Sequence, residues 1–409
     1  MGGHHHHDPD GEGAELHIPA STNRWLIGIA GVLALLTVIG MVALWPSGEG
    51  AREVRASLQG AFDAPLTAEL VDARLDAIEA IPCPGGGEAG GMQVQCVVLT
   101  VIPIEGPNDG EAIAIQDYDA ARANYEVGET LVLSFNESAD FGFQYSIADR
   151  QRSPVLIALA ALFAVAVVIL GRLRGLAALV GLVLSFVILL QFTVPALLDG
   201  RPPVGVAVVT ASAVAFCAIY LAHGINTMST VALLGTLSSL ALTTFLAVVF
   251  TGLARINLLF SEEAAFLRMG EATVDLRGLF LAGIIIGTLG ALDDMTVTQA
   301  SAVWELRAAR PTMGIRELYL AGLRIGRDHV ASTVNTLVLA YAGASMPLLL
   351  LFAVYDQSLL DVANGEIVAA EIVRTLVGSI GLVAAVPLTT WLAAVTVVRG
   401  PEDAWSRPD

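Results

Sequence analysis

Residues 278–307 read GLFLAGIIIGTLGALDDMTVTQASAVWELR. No charge occurs from Gly278 to Leu292, and the run has the length and apolar content of a membrane-spanning helix, placed at 278–303. Asp293 and Asp294 sit close to its midpoint. A charged carboxylate at that depth costs about 2.5–3.5 kcal/mol, so it persists only where it faces protein or water. Helical spacing puts Gly283, Gly287, Gly290, Asp294, Thr298 and Ser301 on one face. Its upper, small part permits close helix approach, and its lower part is polar. Asp293 falls elsewhere, grouped with Thr296 and Ala300. The two carboxylates are therefore expected to differ, with Asp294 the more enclosed and the main protonation site, and Asp293 its neighbour. Enclosure penalises the charged form, which is the chemistry of a proton relay or a small-cation site. The competing role is a simple hydrogen bond to a Ser or Thr hydroxyl on a neighbouring helix.

Working outward, the chain reads as an all-α polytopic membrane bundle of about eight helices with a small extracytoplasmic β domain. Only 15% of its 409 residues are charged and 55% are hydrophobic. That departs from the roughly 25% charge of soluble domains. The first span is expected at 25–45, and a seven-helix domain over 154–398. Its spans are placed at 154–171, 175–197, 203–222, 228–251, 278–303, 331–354 and 372–398. Arg172 and Arg174, the cluster from Arg307 to Arg327, and Arg399 all fall on one side of this arrangement, the cytoplasm by the positive-inside rule. Both termini are then cytoplasmic. Residues 1–24, with His4 to His7, are expected to be a disordered tail, and 399–409 a short cytoplasmic one. Residues 255–277 and 311–327 are amphipathic and expected at the outer and inner interfaces.

Residues 46–153 form the one stretch of soluble character and lie outside in this scheme. Residues 51–70 leave room for a short helix. Five strand-like segments follow, separated by turn clusters such as PCPGGGEAGG and EGPNDGE. Five short strands in about a hundred residues fit a small barrel of the OB type. Cys83 and Cys96 flank a Gly-rich stretch and can form a disulfide in an oxidising compartment. Cys217 lies in an apolar run and reads as a small packing residue.

Other polar residues lie within or near the spans. Asp328, Ser332, Asn335 and Thr336 share a face at the start of the 331–354 helix, and Asn335 and Thr336 are expected to meet the Asp pair. Asp328 and His329 are expected near the cytoplasmic mouth as charge partners. Thr236, Ser239 and Thr243 form a stripe read as packing. The net charge of −18 makes nucleic acid a poor partner. All basic side chains are Arg, which removes lysine chemistry. No GxSxG, HExxH, Walker loop or CxxC occurs, so no enzyme, cofactor or metal site is expected.

The run from Gly290 through Asp293-Asp294 to Arg307, followed by Gly326-Arg327-Asp328-His329 and Asn335-Thr336, resembles the YibE/F family of bacterial membrane proteins. The resemblance covers nearly the whole chain. It implies a multi-pass protein of the bacterial plasma membrane, with no assured substrate or protein partner. More distantly, the Asp293–Asp294 segment resembles the proton-relay helices of RND transporters and the SecD/SecF translocation factors. That likeness implies a secondary transporter or a proton-driven conformational machine. The departures are eight helices rather than six, one unit rather than two, a small outer domain and no basic residue inside the 331–354 span. Arg374 is placed to serve as the missing basic partner, and a single unit implies a homodimer. The alternative is a non-transporting scaffold or assembly factor that docks a partner through its outer domain.

Overall fold

A computed structural model describes residues 20–62, 69–81, 88–89, 92–93, 96–117, 124–137, 139, 144–258, 275–354 and 358–398. The histidine tract, Cys83, most of the 255–277 loop and the tail from Arg399 lie outside the described residues. The chain divides into two units, one of residues 58–166 and one of residues up to 57 together with those from 167 onward.

In the smaller unit, apolar alternation produces a five-stranded antiparallel sheet. The strands are β1 (Glu69–Ile81), β4 (Cys96–Pro103), β5 (Ile113–Asp117), β6 (Thr130–Phe135) and β7 (Tyr145–Arg150), in the order β5-β4-β1-β6-β7. A two-residue hairpin, β2 (Glu88–Ala89) with β3 (Met92–Gln93), lies between β1 and β4. The long β1 serves two neighbours. Its first half pairs with β6, from Glu69 opposite Phe135 to Arg74 opposite Thr130. Its second half pairs with β4, as far as Ile81 opposite Cys96. The register shifts between Leu75 and Ala77, and such a bulge bends a strand. The sheet therefore curls around Val71, Ala73, Leu75, Leu99, Val101, Leu131 and Leu133, all buried. Tyr145 caps this core and donates its hydroxyl to the Pro107 carbonyl at 2.6 Å. Its phenol is held above its ordinary pKa, first by burial and then by the charges of Glu69 and Glu111.

The larger unit is helical. Its helices are α1 (Ala20–Ala43), α5 (Pro203–His223), α6 (Thr227–Leu253), α7 (Leu276–Ala309), α8 (Ile315–Ala344), α9 (Met346–Val354), α10 (Leu359–Asn364) and α11 (Glu366–Val398). Helix α2 (Glu49–Phe62) begins here. Helix α3 (Ser153–Ile188) bridges the unit boundary in sequence and runs through a π-helical turn, Leu189–Thr193, into α4 (Val194–Leu198). Arg172 takes φ 50°, ψ −130° inside α3, dividing it where sequence separates the spans ending at 171 and starting at 175. Among the described residues, six helices are long and apolar enough to cross a membrane, the 46-residue Ser153–Leu198 stretch counting as one.

Helix α8 is not among the six, and its form differs from expectation. The helix starts at Ile315, so the amphipathic stretch at 311–327 and the apolar segment from 331 are one element. It breaks at Ser345, leaving α9 to continue the apolar run. The polar residues Arg316, Glu317, Arg324, Arg327 and Asp328 occupy its first half, and the break shortens its second.

Helices α6, α7 and α11 pack together at the centre, with α5 and α8 flanking and α1 against α5 and α6. Glycines set the spacing. A Cβ at Gly235 would collide with Thr389, one at Gly381 with Thr243, one at Gly378 with Thr288 and one at Gly322 with Thr390. Each pair seats a threonine of one helix on the bare backbone of another. The sums 235 with 389 and 243 with 381 agree, so α6 and α11 run antiparallel. The contacts of Thr288 with Gly378 and Gln299 with Thr390 make α7 parallel to α11. At the start of α2, Asp199 accepts from the Ser47 hydroxyl (2.8 Å), the Ser47 amide, the Gly48 amide (3.0 Å) and the Gly50 amide (2.8 Å). A distant carboxylate thus satisfies the orphan donors of a helix N-terminus. Burial opposes ionisation of Asp199, but the Ser47 hydroxyl and these amides outweigh it and hold the carboxyl below its ordinary pKa.

Candidate functional site

The two carboxylates of α7 do part company, in the sense opposite to that expected. Asp293 is half-buried, and its Oδ1 is buried with no hydrogen-bond partner among the described residues. Asp294 is exposed, with 68% of its side chain accessible. The small-residue face that was to enclose Asp294 is the open side of α7. A Cβ at Gly283 or Gly290 meets nothing within 4 Å, and at Gly287 only the Tyr341 hydroxyl at 3.6 Å. The inward side of α7 carries Leu292, Met295, Thr296, Gln299 and Ala300, all buried. The packing of the bundle here therefore uses Leu292, Met295 and Gln299, and Gly283, Gly287 and Gly290 are left outward.

Inside the bundle, the Thr236 hydroxyl of α6 shares a 2.6 Å hydrogen bond with that of Thr296 on α7. Thr296 Oγ1 also lies 3.1 Å from the Asp293 carbonyl. Because α6 is antiparallel to α7, this contact sets Ser239, three residues on, level with Asp293. Ser239 and Thr243 are fully buried with Thr236. Thr243 returns its hydroxyl to the Ser239 carbonyl at 2.8 Å, the packing role expected of the stripe. Ser239 Oγ is different, since it is buried without a partner among the described residues, as is Thr389 Oγ1 on α11. Buried polar atoms in native proteins are nearly always bonded, so Asp293 Oδ1, Ser239 Oγ and Thr389 Oγ1 mark this interior, as His329 Nε2 does on the α8 side.

On the other side of α7, α8 brings His329 to Asp294, with Nε2 3.7 Å from Oδ2. That is ion-pair reach when the imidazole is protonated, and beyond a hydrogen bond. His329 thus stands at the depth of the Asp pair rather than at a cytoplasmic mouth. Asp328 beside it is exposed and, among the described residues, forms no ion pair with His329, Arg324 or Arg327. Asn335 and Thr336 are exposed and lie six and seven residues beyond His329, about 9–10 Å further along α8. Neither meets the pair as expected, and Thr336 returns its hydroxyl to the Ser332 carbonyl at 3.0 Å. Thr298 is exposed on the open face with Asp294. Arg374 is not the missing basic partner. It binds Glu371 at 2.7 Å and lies 5.2 Å over the Phe280 ring. Phe280 is 13 residues before Asp293, about 20 Å along the helix.

Sequence reading passed over Gln299. Its amide donates to the Gly322 carbonyl at 2.7 Å and to Thr390 Oγ1 at 2.8 Å, joining α7, α8 and α11 at one point. A glutamine inside a span was signal enough, because hydrocarbon offers its amide no partner. Cys96 opens β4 and is buried, while its expected partner Cys83 lies outside the described residues. Cys217 is a free thiol packed against the cluster of Phe192, Ala196 and Val206. Among the described residues no three His, Cys, Asp or Glu side chains are placed to hold a metal ion.

Residues 159–399 match the family described as YibE/F-like protein. Neither the curated proteins nor the solved structures yield a match, and the likeness to RND and SecD/SecF relay helices is not confirmed. The match takes in the helices from α3 to α11 and the motifs around Asp293-Asp294 and His329-Asn335, and leaves out α1 and the β unit. With these apolar helices and more than half of its length matched, the chain is a membrane protein belonging to the YibE/F-like family.

Proposed function

We propose that this protein is a proton-driven conformational machine of the bacterial plasma membrane, with secondary transport as its most direct use, and that Asp293 is the residue that takes and releases the proton. One observation carries the reading: the Oδ1 of Asp293 is buried in the middle of a long apolar helix with no donor to satisfy it among the described residues. An ionised carboxylate so placed is far more costly than a protonated one. Ser239, level with Asp293 and without a partner among the described residues, is not bonded to it in this arrangement and is the hydroxyl placed to donate to the ionised form or accept from the neutral one after a small shift of packing. Asp294, which is exposed, and His329, whose Nε2 is buried beside it, form the outer arm, through which a proton reaches or leaves the pair. His329 takes the place of the basic partner that relay helices of the RND type use. Proton binding changes which of the α6, α7 and α11 contacts is favoured, and differential stability of two packings is what a coupled cycle requires. A proton needs only the one carboxyl, whereas a divalent cation needs several converging ligands, and among the described residues no three His, Cys, Asp or Glu side chains converge.

The β unit is read as an extracytoplasmic barrel of the OB type. Its support is the long bent β1 shared between β4 and β6, with β5 and β7 at the two edges of the curled sheet. In this scheme the chain termini are cytoplasmic, and no bond-making chemistry is needed. The scaffold alternative draws on the same unit, as a surface for a protein partner. The two are separated by following amide exchange of α6, α7 and α11 in lipid nanodiscs across a step from mildly alkaline to mildly acidic pH. The relay reading expects protection of these helices to change in the wild type and to stay fixed in Asp293→Asn. An identical response in both proteins favours the scaffold.

A further inference from the structure

Helix α1 is pinned to the bundle towards both of its ends. Near its start, Leu26 packs against the buried cluster that holds Val231, Val303 and Ala394. Near its end, Gly40 meets α5 so closely that a Cβ there would collide with Val209. Between these contacts, about 20 Å apart along the helix, a cavity of about 420 Å³ opens between α1, α5 and α6. Leu33 and Leu36 form one wall, Val208 and Ser212 the second, and Leu237 and Ala241 the third. No charged residue lines it. The hydroxyls of Thr37 and Thr244 in its walls are turned back on their own helices, to the Leu33 and Leu240 carbonyls, each at 2.8 Å. Water finds little to bond there, and apolar cavities stay dry. Left empty, the walls would lose the dispersion contacts that packing supplies.

We propose that this cavity holds the tail of one acyl chain of a bilayer phospholipid, kept as a wedge between α1 and the α5–α6 face. Three observations select that occupant. All three helices are long and apolar enough to span, and the cavity falls near their middle, at the depth of hydrocarbon. Its mouth, at the exposed Leu36 and Ala241, runs on into the exposed Ile39 and Phe245 one turn along, and so is continuous with the surface a membrane protein turns to lipid. Finally, α1 closes the cavity at both ends. A helix with its side chains is about 10–12 Å across, too wide to enter there, whereas a single hydrocarbon chain is slim enough. A headgroup is excluded by the want of any charged partner. The proposal rests on α1, α5 and α6 lying in the membrane, and not on the role of Asp293 as a proton carrier.

The test places the full-length protein in phosphatidylcholine bilayers doped with a phosphatidylcholine whose acyl chain carries a diazirine near its methyl end. After illumination, the labelled residues are mapped by mass spectrometry. Adducts are expected on Leu33, Ser212 or Ala241 at about threefold or more the level found on Leu159 and Leu162, which are exposed on a plain face of α3. Ala241→Leu and Ser212→Leu fill the cavity from different walls. Each should lower the cavity adducts about threefold or more and leave those on α3 unchanged. Thermal unfolding in detergent checks that each variant is folded, and where neither is, the wild-type ratio decides. Cavity adducts no more frequent than those on α3 would overturn the proposal. So would labelling indifferent to both fillings, since the chain then lies outside the cavity. Cavity residues shielded from the label would overturn it as well, because protein rather than lipid then covers the mouth.

Discussion

The imidazole of His329 stands 3.7 Å from the carboxylate of Asp294, joining α7 and α8 across the outer arm of the Asp pair. The two side chains are 37% and 68% exposed, so solvent screens their attraction. A double-mutant cycle with Asp294→Asn and His329→Gln is expected to give a coupling of about 0.2–1 kcal/mol in unfolding stability. A coupling of zero in low salt would mean that the two groups do not interact in the folded protein.

The glycines of the bundle fall into two kinds, and substitution should separate them. At Gly381 a methyl group would collide with Thr243, whose hydroxyl is tied to the Ser239 carbonyl. Gly381→Ala is expected to destabilise the protein by about 1–3 kcal/mol, the usual cost of overpacking. Gly283 has open space, so Gly283→Ala in detergent should leave the unfolding midpoint unchanged or slightly raised. Equal losses at both positions would contradict the packing described for α6 and α11.

Asp199 ties the start of α2 to the loop before α5, and its contribution should depend on pH. Its folded pKa is lowered, so the unfolded chain binds its proton more readily. The stabilisation is therefore present above the unfolded value, about 3.9, and is lost as pH falls through the folded value. Asp199→Ala should cost about 1–2 kcal/mol at neutral pH, within the range of lost helix caps. The gap between variant and wild type, followed by thermal unfolding, should close in acid. A gap that persists at low pH would assign the loss to packing.

Much of this molecule was legible from its residues, and the reasons for the rest are physical. Period-two alternation located all five strands, since a half-buried strand writes its inner face into the sequence. Uncharged runs located the long helices. The start of α8 was misjudged because hydropathy reports on composition, whereas the helix continues through Arg324, Arg327 and Asp328 by backbone bonding alone. The facing of the Asp pair was inverted for a related reason. Helical spacing shows that Gly290 and Asp294 share a side, yet small residues suit contacts inside one chain and between chains equally. Only the neighbours decide, and Leu292, Met295 and Gln299 won the interior. Asn335 was assigned to the pair through its distance from the presumed helix start, and antiparallel register places His329 there instead.

The central claim is that Asp293 holds and releases a proton within the membrane. Infrared difference spectra of the full-length protein in bilayers, recorded across an acid step, read this directly through the C=O stretch of a protonated carboxyl. The account predicts a carboxylic-acid band that appears on acidification, survives in Asp294→Asn, shifts in Ser239→Ala and vanishes in Asp293→Asn. A band unchanged in Asp293→Asn would contradict it.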